Sequence, residues 1–105
     1  MSSPLKGIKI LDLTHMLAGP YGTMVLADLG AEIIKIEPPL KGEITRNLLK
    51  NDPDYSVDGV GAYHLTLGRN KKSLTLNLKS EPGKNIFYQL VKKADVVIDN
   101  FSSGV

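Results

Sequence analysis

Residues 8–37 constrain the fold more than any other stretch, because local signals for strand, loop, helix, stop and strand follow one another without a break. Ile8, Ile10, Leu11 and Leu13 make a short apolar run suited to a strand buried on both faces, and residues 14–19 follow as a loop of small, turn-compatible side chains. Pro20 fits the first turn of a helix, where its missing N–H would have no intrahelical partner. Tyr21, Met24, Val25 and Leu29 then recur at the spacing of one buried face. Gly30 supplies the left-handed stop, and Ile33, Ile34 and Ile36 form a second strand ending at Glu37 and the rigid pair Pro38-Pro39. A crossover of this length predicts a parallel, right-handed βαβ unit.

The loop of this unit lacks the G-x-G-x-x-G fingerprint of a dinucleotide site, offering only Gly19 and Gly22. An NAD-binding oxidoreductase, with Glu37 as its ribose acid, is therefore disfavoured. A nucleotide-type ligand held in another way fits the pattern better.

At 105 residues the chain is one domain at most, short for an enzyme that encloses a large substrate. A net charge of +2 and 23% charged residues argue against both disorder and a dedicated nucleic-acid binder. Without cysteine there is neither a disulfide framework nor thiolate chemistry, and no apolar run is long enough to cross a bilayer. The start carries no signal core or amphipathic presequence, so the expected location is the cytoplasm.

Residues 38–61 read as a long polar surface loop with at most a helical turn near residues 44–49. A short helix over residues 62–67, a strand over residues 73–77 and a clear helix follow. That helix has Ser80 as N-cap, Glu81 and Pro82 in its first turn, Ile86, Phe87, Leu90, Val91 and Ala94 as inner stripe, and Lys92 and Lys93 at its end. Val96, Val97 and Ile98 make the last strand. The expected fold is α/β, a parallel sheet with flanking helices, whose ligands bind beyond the carboxyl ends of the strands. Residues 14–19, 37–39, 69–72 and 100–102 are expected to converge on that edge.

Arg69, Asn70, Lys71 and Lys72 offer three cations and an amide suited to phosphates, although a solvated basic turn reads the same way. His15 can donate, accept or titrate, or simply serve local hydrogen bonding. Met16, Leu17 and Ala18 can cover a flat aromatic ligand or close the core, and Asn100 and Phe101 have a similar double reading. The eleven acidic residues form no evident metal cluster or catalytic dyad; Asp52, Asp54 and Asp58 lack the glycine and final glutamate of a calcium loop. Ser102-Ser103-Gly104 is not a nucleophile elbow, which makes a serine hydrolase improbable.

The ordered set L5-K-G-I-K-I-L-D-L-T, A18-G-P, L26-A-D-L-G-A-E-I-I-K-I-E-P-P, N70-K-K-S and A94-D-V-V-I-D-N-F resembles the start of a class III coenzyme A transferase of the CaiB/BaiF type. Formyl-CoA transferase, carnitine CoA-transferases and α-methylacyl-CoA racemases belong to this family. The resemblance implies a Rossmann-like segment, residues 1–105 being the N-terminal CoA-binding portion of a larger domain. It also implies an interlocked homodimer for the complete protein, and a transferase that moves CoA between an acyl-CoA and a carboxylic acid. No tightly bound cofactor, nucleic acid or membrane is expected; acyl-CoA is the substrate.

Carried over residue by residue, the resemblance puts Leu17 and Ala18 at the adenine end, with His15 and Met16 beside it. Arg69, Asn70, Lys71 and Lys72 fall near the phosphates, and Asn100, Phe101 and Ser102 along the pantetheine path. Pro38 stands where some relatives have arginine, which makes Arg46 the substitute cation. Ser102-Ser103-Gly104 replaces an Arg-Pro-Gly and removes another cation. The aspartate that attacks the thioester in the transferases lies downstream of the Asn-Phe motif, as do the acid/base residues of the racemases. By this resemblance the segment alone binds weakly and does not turn over. An acyl-CoA racemase or isomerase, or a non-catalytic truncated binding module, are the alternative readings.

Overall fold

The computed structural model describes residues 3–105. The chain runs β1 (Lys9–Asp12), α1 (Ala18–Asp28), β2 (Glu32–Glu37), a 3-10 turn (Ile44–Arg46), β3 (Ser56–Val57), β4 (Val60–Gly61), α2 (Ala62–Leu67), β5 (Lys71–Thr75), α3 (Glu81–Lys93) and β6 (Val96–Ile98). β1, β2, β5 and β6 form one parallel sheet in the order β5-β2-β1-β6, which is the expected α/β class. Register follows from the apolar pattern: Ile10 lies opposite Ile33 on one side and Val96 on the other, while Ile33 lies opposite Lys71. The chain adds strands outward from β1 to β5, then returns to place β6 on the other flank of β1. The strand order therefore reverses between β1 and β6.

Each face of the sheet has its own core, because side chains alternate along a strand. Ile10 and Ile33 pack with Ala27 and Ala31 beneath α1. Leu13, Ile36 and Leu76 pack on the other face with Leu74, Leu78 and the α3 residues Phe87 and Leu90. Ser80 caps α3 as expected, accepting the Gly83 N–H. A Cβ on Gly83 would run into the Asn77 carbonyl, so this close approach of α3 to the chain leaving β5 requires glycine.

Several expectations need correction. α1 starts at Ala18, two residues before Pro20, and buries Pro20, Thr23, Met24 and Ala27; Tyr21, Val25 and Leu29 are exposed. The apolar stripe misled because the buried face is rotated toward a polar interior in which Thr23 meets Asp12. On α3, Phe87 and Leu90 face the core, while Ile86 and Val91 are exposed. β5 begins two residues earlier than the alternation suggests, at Lys71. The long segment after β2 contains the expected turn and also a small antiparallel hairpin, β3-β4. Its Asp58-Gly59 corner has positive φ at both residues (51° and 79°), the conformation an Asp-Gly pair favours.

Candidate functional site

Two adjoining cavities open where the strands end. The first, about 420 Å³, is lined by Leu13 after β1, residues 36–39 at the end of β2, residues 76–79 after β5, and His15 and Phe101. The second, about 370 Å³, is lined by His15, Met16, Ile44, Asn100, Phe101, Ser102 and Val105. His15 and Phe101 belong to both, their ring centroids 6.3 Å apart. Together the cavities form one groove along the carboxyl edge, crossing the point where strand order reverses. Crevices of this kind are where open α/β sheets bind ligands.

The groove is shaped by three buried carboxylates. Asp12, at the end of β1, is fully buried and accepts from the Thr14 N–H, the Thr14 hydroxyl and the Thr23 hydroxyl. Lys71 Nζ lies 3.2 Å and Lys35 Nζ 4.0 Å from its Oδ2. Burial would raise the Asp12 pKa, but these hydroxyls and Lys35 outweigh it and hold the carboxyl below its usual range. Lys35 also donates to the Thr14 carbonyl at 2.9 Å, so this cluster fixes the path of the loop after β1. Gly19 lets the first turn of α1 close over that loop, since a Cβ there would strike Thr14.

Glu37 closes the end of β2. Arg46 forks onto it, Nε to Oε1 at 2.6 Å and Nη2 to Oε2 at 2.9 Å, while the Ser73 hydroxyl and the Glu43 N–H also donate. Glu43 repeats the arrangement one step out. Its carboxylate accepts from the Met16 N–H at 2.6 Å and from both the N–H and the hydroxyl of Thr45, with His64 Nδ1 3.6 Å away. Burial opposes ionisation in both acids, yet the donors prevail and bring each carboxyl from 4.5 down to about 2. For Glu37 the donors are Arg46, Ser73 and the Glu43 N–H; for Glu43 they are His64, Thr45 and Met16. Among the described residues no buried side-chain donor or acceptor lacks a partner.

Asn100 locks the two sides of the strand-order reversal together. Its Oδ1 accepts the His15 N–H at 3.0 Å and its Nδ2 donates to the His15 carbonyl at 2.8 Å. Both ends of the Asn100 amide are thus committed to the backbone, and Asn100 acts by holding His15 in place. Met16, next in the loop, has φ of 71°, a conformation the Glu43 carboxylate sustains through its N–H.

The structure brings His15, Met16, Pro38, Asn100, Phe101 and Ser102 to the groove and separates the other expected residues from its lining. Leu17 and Ala18 begin α1 and line neither cavity. Arg46 is engaged by Glu37, which answers where that cation goes. The expected convergence of residues 69–72 on this edge is corrected: Lys71 begins β5 opposite Ile33, at the amino edge of a parallel sheet. There Arg69 and Asn70 bind Asp28, Lys72 pairs with Glu32, and Lys71 runs inward with only 2% of its side chain exposed. Burial pulls the Lys71 pKa below the lysine range, Asp12 opposing the shift and Lys35 adding to it.

What reaches the groove from this part of the chain is Leu76, Asn77, Leu78 and Lys79, which the sequence reading missed. The pattern carried no signal for this, because the polar/apolar alternation runs on unbroken from Ser73 to Lys79 although β5 ends at Thr75. The Asn77 Oδ1 accepts the Lys79 N–H at 3.0 Å and its carbonyl accepts from Ser80, turning the chain across the mouth of the first cavity. Among the described residues there is no cluster of three or more His, Cys, Asp or Glu able to hold a metal, and no helix long and apolar enough to cross a membrane.

The profile of CoA-transferase family III matches residues 5–105. Formyl-CoA:oxalate CoA-transferase of Streptomyces avermitilis is 45% identical over 104 residues, covering 99% of this chain and 24% of the relative. The enzyme of the same name from Streptomyces coelicolor is 47% identical over 100 residues, covering 95% of this chain and 23% of its own length. A CaiB/BaiF family protein from Brucella suis superimposes with a TM-score of 0.87 at 39% identity, covering 99% of this chain and 27% of that one. A hypothetical protein from Mycobacterium tuberculosis gives 0.84 at 39% identity, with 98% and 27% covered. The chain thus spans about a quarter of the length of the curated relatives it matches.

Proposed function

The chain belongs to CoA-transferase family III, and from that premise we propose that residues 1–105 form the CoA-holding part of an enzyme that moves coenzyme A between an acyl-CoA and a carboxylic acid. The observation that carries the reading is the two-cavity groove at the reversal of strand order. Its first cavity has apolar walls from Leu13, Ile36, Leu76, Leu78 and Phe101, with Lys79 at hand, which suits a flat base attached to phosphates. The second continues past His15 and Phe101 along residues 100–102, which suits the thin pantetheine arm. The N-terminus of α1 opens at the same edge with no acidic residue in its first turn and no side-chain cap, an arrangement that favours anionic groups.

The acids of this segment are scaffold in this reading. Asp12, Glu37 and Glu43 are each at most 1% exposed and saturated by donors, so none is free to attack a thioester. The role left to the segment is to hold CoA and orient its thiol end.

Thermal melting with CoA, adenosine 3′,5′-bisphosphate and pantetheine added separately tests this proposal. CoA is expected to raise the midpoint most, its two halves being linked, with about 2.7 kcal/mol of stabilisation at a hundred times its Kd. A midpoint unmoved by millimolar CoA overturns it.

A further inference from the structure

The loop from β1 into α1 is held mostly by the sheet it leaves. Lys35 donates to the Thr14 carbonyl, Asn100 takes both backbone groups of His15, and Lys71 Nζ donates to the Pro20 carbonyl at 3.0 Å. Met16 is the exception. Its N–H goes to Glu43, which lies in the segment between β2 and β5 that adds no strand to the main sheet. Met16 is also the one residue between β1 and α1 with positive φ. An L-residue with a side chain enters that region at a cost, so its surroundings must compel the bend.

Glu43 is built to compel it. Its Oε1 accepts the Met16 N–H at 2.6 Å, while its Oε2 accepts the Thr45 N–H at 2.9 Å and the Thr45 hydroxyl, with His64 beyond. The Glu43 N–H donates to Glu37 Oε1 at 2.8 Å, which pins its backbone to the end of β2. Buried and held at both oxygens, the carboxylate has no solvent-facing alternative to Met16. The next residue, Ile44, donates its N–H to His15 Nδ1 at 3.5 Å, so two consecutive residues of the turn meet two consecutive residues of the loop. Met16 and Ile44 both line the second cavity, whereas Glu43 lines neither.

We infer that Glu43 is a positioning residue of the groove. Through the Met16 N–H it holds the left-handed bend that shapes the second cavity, and so couples the segment between β2 and β5 to CoA affinity. The inference rests on the CoA reading and adds to it a residue that itself meets no ligand. With the bend populated in only a fraction of molecules, the apparent Kd rises by the reciprocal of that fraction. Glycine adopts positive φ about as readily as negative φ, so glycine at position 16 frees the bend from its dependence on Glu43. A Glu43 that served stability alone would have no such link to residue 16.

The test is a double-mutant cycle read by calorimetric CoA Kd. It uses Glu43→Met, which keeps the length of the side chain and removes both carboxylate oxygens, and Met16→Gly. With Met16 in place, Glu43→Met is expected to weaken CoA binding about tenfold, the cost of an unsupported left-handed residue. In the Met16→Gly background the same change is expected to weaken it by about twofold at most. Urea midpoints should fall alike in both backgrounds, since the Thr45 and His64 contacts are lost in each. An equal Kd penalty in the two backgrounds, or none with Met16 in place, overturns the inference while the CoA reading stands. Amide exchange of the unaltered protein covers the case in which Glu43→Met does not fold: the Met16 N–H is expected to exchange slowly, and more slowly still with CoA. Exchange at the rate of an unbonded amide, or a rate that CoA leaves unchanged, overturns the inference as well. No CoA binding by the unaltered protein removes both.

Discussion

Arg46 on Glu37 and Arg69 on Asp28 are the same chemical pair in opposite settings. At the carboxyl edge Arg46 is 34% exposed but Glu37 only 1%, and Glu37 also accepts from Ser73 and the Glu43 backbone. At the amino edge Asp28 is 34% and Arg69 57% exposed, with solvent available to both. Ion pairs left in water add little to stability, whereas removing one partner of a buried pair strands the other. The carboxyl-edge pair is therefore part of the frame that shapes the groove, and the amino-edge pair trims a surface turn.

The largest effect expected from this contrast is in Glu37→Ala, which leaves the Arg46 guanidinium and the Glu43 N–H without their acceptor. Because Arg46 is 34% exposed and regains water while the buried Glu43 N–H does not, a loss of about 2–4 kcal/mol is expected in urea unfolding. A change as small as that of an exposed pair would erase the distinction between the edges.

Acid is the next lever. Glu37 and Glu43 titrate at about 2 when folded against 4.5 otherwise, so both contribute stability above pH 4.5. That contribution disappears as pH falls from 4.5 through about 2, on the order of 2–3 kcal/mol for each group. Unfolding free energies measured across this window should decline steeply; a level profile would mean the two carboxyls are not held as described.

Gly83→Ala probes the seam between α3 and the chain leaving β5. The new Cβ meets the Asn77 carbonyl, and a loss of about 1–3 kcal/mol is expected from overpacking. Because Asn77 turns residues 76–79 across the first cavity, CoA affinity should fall with it. An unchanged CoA Kd would detach this turn from the site. Arg69→Ala is expected to do least, leaving both the unfolding midpoint and CoA affinity unchanged. A clear drop in affinity would return the amino-edge cations to the binding surface.

The same contrast explains what was legible in the sequence. Apolar runs gave β1, β2 and β6, Ser80 the start of α3, and the ordered motifs the family, because each is a local or linear signal. The faces of α1 and α3 were misjudged since exposed Tyr21, Val25, Ile86 and Val91 carry the same periodicity as a buried stripe. The cations of residues 69–72 looked like a phosphate site because charge type is visible in sequence, while the starting residue of β5, which sends them to the far edge, is not. Glu37 and Glu43 gave the reverse error. Nothing in an isolated glutamate announces that Arg46, Ser73, Thr45 and His64 fold around it.

One titration decides between the edges. Backbone amide NMR shifts followed as CoA is added should move at His15, Leu76, Asn77, Leu78, Lys79 and Phe101, with Arg69, Asn70 and Lys72 unchanged. Shifts centred on Arg69, Asn70 and Lys72 with a silent carboxyl edge would contradict the account.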